Sequence, residues 1–172
     1  MPRYRKVDPR FWKDEKVAHL DLEEKAIALY IITAQSNRIG CFLFSPALAS
    51  EDLGTLPQTF LKRFTKVLAT LKWDWDERSR IVYLPTWWKY NQPDNTNNVI
   101  GSLKDIADLP NSPLISRFCA NLEYLQERFH HTFTETLLEH YPKRYPKRYP
   151  KRYPTQEQEQ EQEQEQEQEQ EQ

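Results

Sequence analysis

Six side chains between Pro57 and Leu71 have types and spacing that could do chemistry: Gln58, Thr59, Lys62, Arg63, Lys66 and Thr70. At about 100° per residue, five of them share the side of a helix opposite Phe60, Phe64, Val67, Leu68 and Leu71, with Gln58 at the edge. No acidic residue interrupts the run from Gly54 to Lys72. Long cations suit phosphates and guanine edges, while amide and hydroxyl groups suit other base edges. This face therefore has the composition a helix needs to enter a major groove. A merely solvated helix face is the competing account, and such faces usually mix their charges.

Two further basic groups could assist. Arg78 and Arg80 fall at or just after the tip of an expected hairpin, where they could meet a DNA backbone or minor groove; Asp74, Asp76 and Glu77 beside them argue the other way. Arg3, Arg5 and Lys6 could form a minor-groove arm of the kind homeodomains use, unless Tyr4, Phe11 and Trp12 pin that segment to the fold. Trp73, Trp75, Trp87 and Trp88 could stack on single-stranded bases, but strand alternation favours their covering a small core together with Ile81 and Tyr83.

Catalysis finds little support. Three glycines, Gly40, Gly54 and Gly101, cannot build a phosphate-cradling loop. His131 and Glu135 share a helical face, yet neither they nor His130 and His140 form a recognised metal-ligand set. Cys41 and Cys119 stand alone in the sequence and read as buried thiols, without a disulfide or metal. No enzyme, cofactor or metal is expected.

The elements that must position these groups are legible in order. Asp21 and Glu24 form a capping-box pattern at the start of a helix expected to reach about Ala34, with Leu22, Ala26, Leu29, Tyr30 and Thr33 at helical spacing. A strand from Ile39 to Phe44 leads to a helix over Ala47–Leu53, for which Ser45 and Pro46 supply cap and first turn. Gly54 turns the chain into the helix at Pro57, and an aromatic hairpin is expected from Trp73 to Trp88. A polar connector follows, then a short helical piece from Asn98 to Ala107. Ser112-Pro113 opens what reads as one long helix to His140, with Ile115, Phe118, Leu122, Leu125 and Phe129 forming a seam. That seam either packs on the preceding domain or joins two copies of the chain.

Helix, turn, helix and ribbon in this order is a framework with which many proteins read duplex DNA. The expected fold is mainly α with a small antiparallel β-wing: a winged helix-turn-helix over 1–95, a helical extension over 96–141, and a disordered tail over 142–172. The tail is repetitive, with three Tyr-Pro-Lys-Arg units followed by alternating Glu and Gln. Across 172 residues the net charge is −2, and residues 1–142 carry as many bases as acids, so local distribution must decide what is bound. No apolar run reaches the length of a membrane span, and a reducing cytoplasm is the expected compartment.

Four stretches carry a family resemblance: Arg5–Trp12 (RKVDPRFW), Asn37–Gly40 (NRIG), Ala49–Gly54 (ASEDLG) and Val82–Asn91 (VYLPTWWKYN). Over roughly residues 3–115 the chain resembles the N-terminal winged-helix domain of phage and prophage replication initiators, the replisome organisers, related in style to the DnaD family. The resemblance implies non-enzymatic, sequence-specific binding of double-stranded DNA at a replication origin, often as a homo-oligomer. It also implies recruitment of a replicative helicase or its loader, and it places groove reading on Gln58, Thr59, Lys62, Arg63 and Lys66. Many relatives carry a second folded domain where this chain has one helical segment and a repetitive tail.

The tail adds two expectations. If the codons repeat as the Tyr-Pro-Lys-Arg units do, the gene carries tandem twelve-nucleotide units near one duplex turn in length, which could be DNA sites within the initiator's own gene; replication slippage is the plainer origin. The eight glutamates of Thr155–Gln172 could compete with DNA for basic groups. A transcriptional regulator or a protein-interaction adaptor on the same framework would read alike.

Overall fold

A computed structural model describes residues 5–144. Arg3, the repeats beyond Arg144 and the Glu-Gln tail lie outside the described residues. The described chain is mainly helical, with one three-stranded antiparallel sheet.

The N-terminal segment folds in short capped turns. Asp8 caps a 3-10 turn over Pro9–Lys13, and Asp14 caps α1 (Glu15–Ala18), so the chain from Asp8 folds onto the domain and buries Val17 and Leu20. In α2 (Leu22–Tyr30) the capping box is complete: Glu24 N–H donates to Asp21 at 2.9 Å, and Asp21 N–H donates to the Glu24 carboxylate at 3.0 Å. A π-helical turn, Ile31–Gln35, extends it. The buried side differs from the expected one. Ile27, Ala28 and Ile31 enter the core, whereas Leu22 is 81% exposed and Ala26 and Thr33 face solvent. The alternative stripe wins because a later helix packs its apolar side against it.

β1 (Cys41–Leu43) is shorter than expected, and α3 (Pro46–Asp52) is capped by Ser45, whose hydroxyl accepts from Leu48 N–H at 3.3 Å. Gly54, at φ +64°, makes the turn into α4 (Pro57–Leu71), which has the bounds its pattern predicts. Lys72 then closes α4 in the left-handed conformation at φ 57°.

β2 (Asp74–Asp76) and β3 (Ile81–Tyr83) form the hairpin, and β3 is central, with the order β1-β3-β2. Cys41 opposes Tyr83 on one side and Trp75 opposes Val82 on the other. Trp87 and Trp88 do not belong to the ribbon: they begin α5 (Trp87–Tyr90). Pro85, which has no N–H to give a ladder, ends the strand first. Both tryptophans are buried, and Trp73 and Trp75 pack against the core, so all four serve the interior, Trp87 and Trp88 from a helix and not through strand alternation.

α6 (Thr96–Leu103) runs into a 3-10 turn at Lys104–Ile106, where Asp105 receives Arg38 from the loop before β1. α7 (Pro113–Ala120) is capped by Ser112 and packs against all three strands. The expected single helix to His140 is broken. Asn121 turns extended, accepts from Glu123 N–H at 3.1 Å and donates to the Tyr83 hydroxyl at 2.7 Å, satisfying its amide outside a helix. A 3-10 turn, Glu127–Phe129, and α8 (His130–His140) follow. Ile115, Phe118, Leu125 and Phe129 are buried within this chain, in one core continuous from Val17 to Leu137.

Candidate nucleic-acid interface

α4 meets the core through Phe60, Phe64, Val67, Leu68 and Leu71. Phe64 stacks on Phe44 with ring centroids 5.2 Å apart, and Trp75 sets its edge against Phe64 at 5.5 Å. These contacts fix the helix's rotation about its axis and decide which residues it presents.

Six residues were expected on the presented face, and the structure divides them. Gln58, Thr59 and Lys62 are exposed. Arg63 and Lys66 are turned toward the start of α2. Arg63 lies 2.7 Å from Asp21 and 2.7 Å from Glu23, and the Lys66 ammonium lies 2.7 Å from Glu24. Accepting the Glu24 backbone N–H lowers the Asp21 pKa first, with Arg63 adding to the shift; the same pairing raises Arg63. Glu24 is only 2% exposed, so its carboxylate needs the cap and the lysine together. Arg63 and Lys66 thus serve the α2–α4 junction, a role hidden in sequence because the acids lie some forty residues upstream. Thr70 is half-buried.

At the hairpin tip Arg78 and Arg80 are both exposed, and Arg80 adopts φ 55°. The acids that weighed against them are largely taken up inside the fold. Asp74 pairs with Arg117 at 2.7 Å, and Asp76 accepts from Ser79 and Ser112 hydroxyls, each at 2.6 Å. Among the described residues Lys62, Arg78 and Arg80 form no ion pair.

The basic arm is corrected in part. Arg5 is half-buried and donates to the Ser36 carbonyl, and burial lowers its pKa. Its guanidinium is built into the fold, while Lys6 remains exposed. Among the described residues there is no group of three or more His, Cys, Asp or Glu side chains that could hold a metal ion.

Family models, curated proteins and solved structures yield no match to this chain.

Three leucines stand exposed beside the presented face, with no periodic signal in the sequence to mark them as a group. Leu56 is 75% exposed, Leu61 49% and Leu48 47%, and all three belong to α3, α4 or the turn between them. Leu61 could have been found, because it falls off the stripe set by Phe60 and Phe64. Among the described residues no helix is long and apolar enough to cross a membrane.

Proposed function

We propose that this chain is a winged-helix protein that binds double-stranded DNA, with α4 as the groove-reading helix. One observation carries the reading. The helix–turn–helix of α3 and α4 is followed by a hairpin in a sheet of order β1-β3-β2, and helix and hairpin offer unpaired cations, Lys62 on the first and Arg78 and Arg80 on the second. Gln58, Thr59 and Lys62 supply amide, hydroxyl and ammonium groups to the groove, and the two arginines neutralise phosphate beside it. Arg63 and Lys66 are left out of the contact set. Initiation of phage- or plasmid-type replication rests on the motif resemblance, and helicase or loader recruitment rests on it more distantly.

Fluorescence anisotropy against labelled duplexes tiling the protein's own coding region, at two salt concentrations, tests this. Saturable binding to the repeat-encoding tile that survives random competitor supports origin recognition within the gene. Binding that ignores sequence and collapses with salt reduces the role to phosphate affinity. No binding at either salt rejects the reading.

The exposed leucines favour a second reading, in which the same face docks a protein. Apolar side chains at Leu48, Leu56 and Leu61 suit a partner's hydrophobic surface better than a polyanion.

A further inference from the structure

A cavity of about 140 Å³ lies between residues 6–17 and the stretch from Leu84 to Asn91. Phe11, Trp73, Trp87, Tyr90 and Tyr124 supply aromatic lining, and Lys6, Lys16 and Lys89 supply the cations. Two carboxylates also line it, but each is already committed. Asp8 is clasped by Arg10 at 2.7 Å, which pulls its pKa down to about 2, and Asp14 accepts the Lys16 backbone N–H at 2.8 Å as the cap of α1. None of the three ammonium groups has a carboxylate partner among the described residues. The space is therefore aromatic within and has unpaired positive charge to offer an anion.

One wall is held in place. Trp87 is buried and donates its indole N–H to the Arg38 carbonyl at 2.8 Å. Tyr90 carries the Arg10 guanidinium 5.2 Å and the Lys89 ammonium 5.3 Å from its ring centroid. A preformed space of this kind loses little freedom on binding. Its size is also informative. Dry cavities of about 150 Å³ take one benzene ring, so the space matches a single six-membered ring.

We propose that this cavity binds a single pyrimidine nucleotide, with the base among the aromatic side chains and the phosphate held by Lys6, Lys16 and Lys89. The nucleotide has two sources, a free mononucleotide or an unpaired pyrimidine in a single strand. Both use the same chemistry, base–aromatic stacking beside lysine–phosphate contact. The site is separate from the α4 face and does not depend on duplex binding there.

Trp73 and Trp87 line the cavity, so intrinsic fluorescence of the full chain reports occupancy. dTMP, dAMP, oligo(dT) and oligo(dA) of ten nucleotides, and inorganic phosphate are titrated in turn. Saturable quenching by dTMP or oligo(dT), with the adenine counterparts at least tenfold weaker, is expected. Stronger binding of oligo(dT) than dTMP assigns the site to single strands, and the reverse assigns it to free nucleotide. Lys6→Glu with Lys89→Glu, both at exposed positions, should weaken pyrimidine binding at least tenfold with an unchanged circular dichroism spectrum. Phe11→Ala should weaken it with inorganic phosphate binding unaltered. Equal response to purine and pyrimidine, full competition by inorganic phosphate, absence of quenching, or a double variant that binds as the parent would each overturn the proposal.

Discussion

Arg63, in the middle of α4, donates to the carboxylate of Asp21 at 2.7 Å, and Asp21 is the residue that caps α2. One carboxylate thus ends a helix and anchors the flank of another. Asp21, Glu23 and Glu24 cluster at the α2 N-terminus, where the helix dipole favours negative charge, and they draw in both cations of α4 that point their way. Acids placed for one helix end therefore settle which face of the next helix remains available.

That division predicts opposite outcomes at adjacent positions. Arg63→Ala should lower the urea midpoint while changing duplex affinity little, because its partners are inside the chain. Lys62→Ala should leave the midpoint in place, weaken duplex binding and reduce the salt slope by about 1, as the loss of one phosphate contact does. Equal loss of DNA affinity in both variants would return Arg63 to the interface.

Gly40 should be nearly irreplaceable. It adopts φ +68°, and a Cβ there would stand 2.4 Å from Cγ of Trp87, which is buried and held by its indole hydrogen bond. Left-handed strain and overpacking together put Gly40→Ala at a cost of about 2–5 kcal/mol. Gly54, at φ +64°, has nothing within 4 Å of the same atom, so Gly54→Ala should cost only the strain, about 1–2 kcal/mol. Paired urea denaturation curves distinguish the two.

How far these relationships were legible in sequence depended on their range. Local signals served well: the Asp21–Glu24 box, the Ser45 and Ser112 caps, and the apolar stripe of α4 each act within four residues and appear as expected. Signals that depend on a distant partner did not. The burial of Ile27 and exposure of Leu22 follow from what packs against α2, and the capture of Arg63 needs Asp21 and Glu23 brought alongside α4. Asn121 looked like one polar position in a helix; the Tyr83 hydroxyl that helps draw it out is a long-range partner. The cavity draws on five separate stretches of chain, so no spacing rule could assemble it.

The hairpin turn should weaken in acid. Hydrogen bonds from Ser112 first, then Ser79, lower the Asp76 pKa. The unfolded carboxyl titrates near its ordinary value, about 3.9, and the folded one below it. Asp76 therefore stabilises the fold above that value, and the contribution is lost as pH falls through the folded pKa. Ser112→Ala should flatten the dependence of thermal midpoint on pH below about 4 relative to the parent. A variant that follows the parent's slope would show that Asp76 draws little from that bond.

The two thiols should respond at the opposite end of the pH scale. Cys41 and Cys119 are buried, and burial raises both pKa values, that of Cys119 to about 12. Thiolate is the reactive form, so native protein at pH 8 should resist a thiol-specific disulfide reagent, and both cysteines should react once denaturant is added. Unfolded thiols ionise at about 8.5, well below the folded ones. Stability from this source is complete below that value and declines as pH rises toward the folded pKa, because only the unfolded chain loses its protons there. Burial similarly raises the Tyr83 pKa, and the phenol adds to the same trend at higher pH. Replacing Cys119 with alanine should make the fall in thermal midpoint above pH 8.5 shallower, and an unchanged fall would locate the alkaline sensitivity elsewhere.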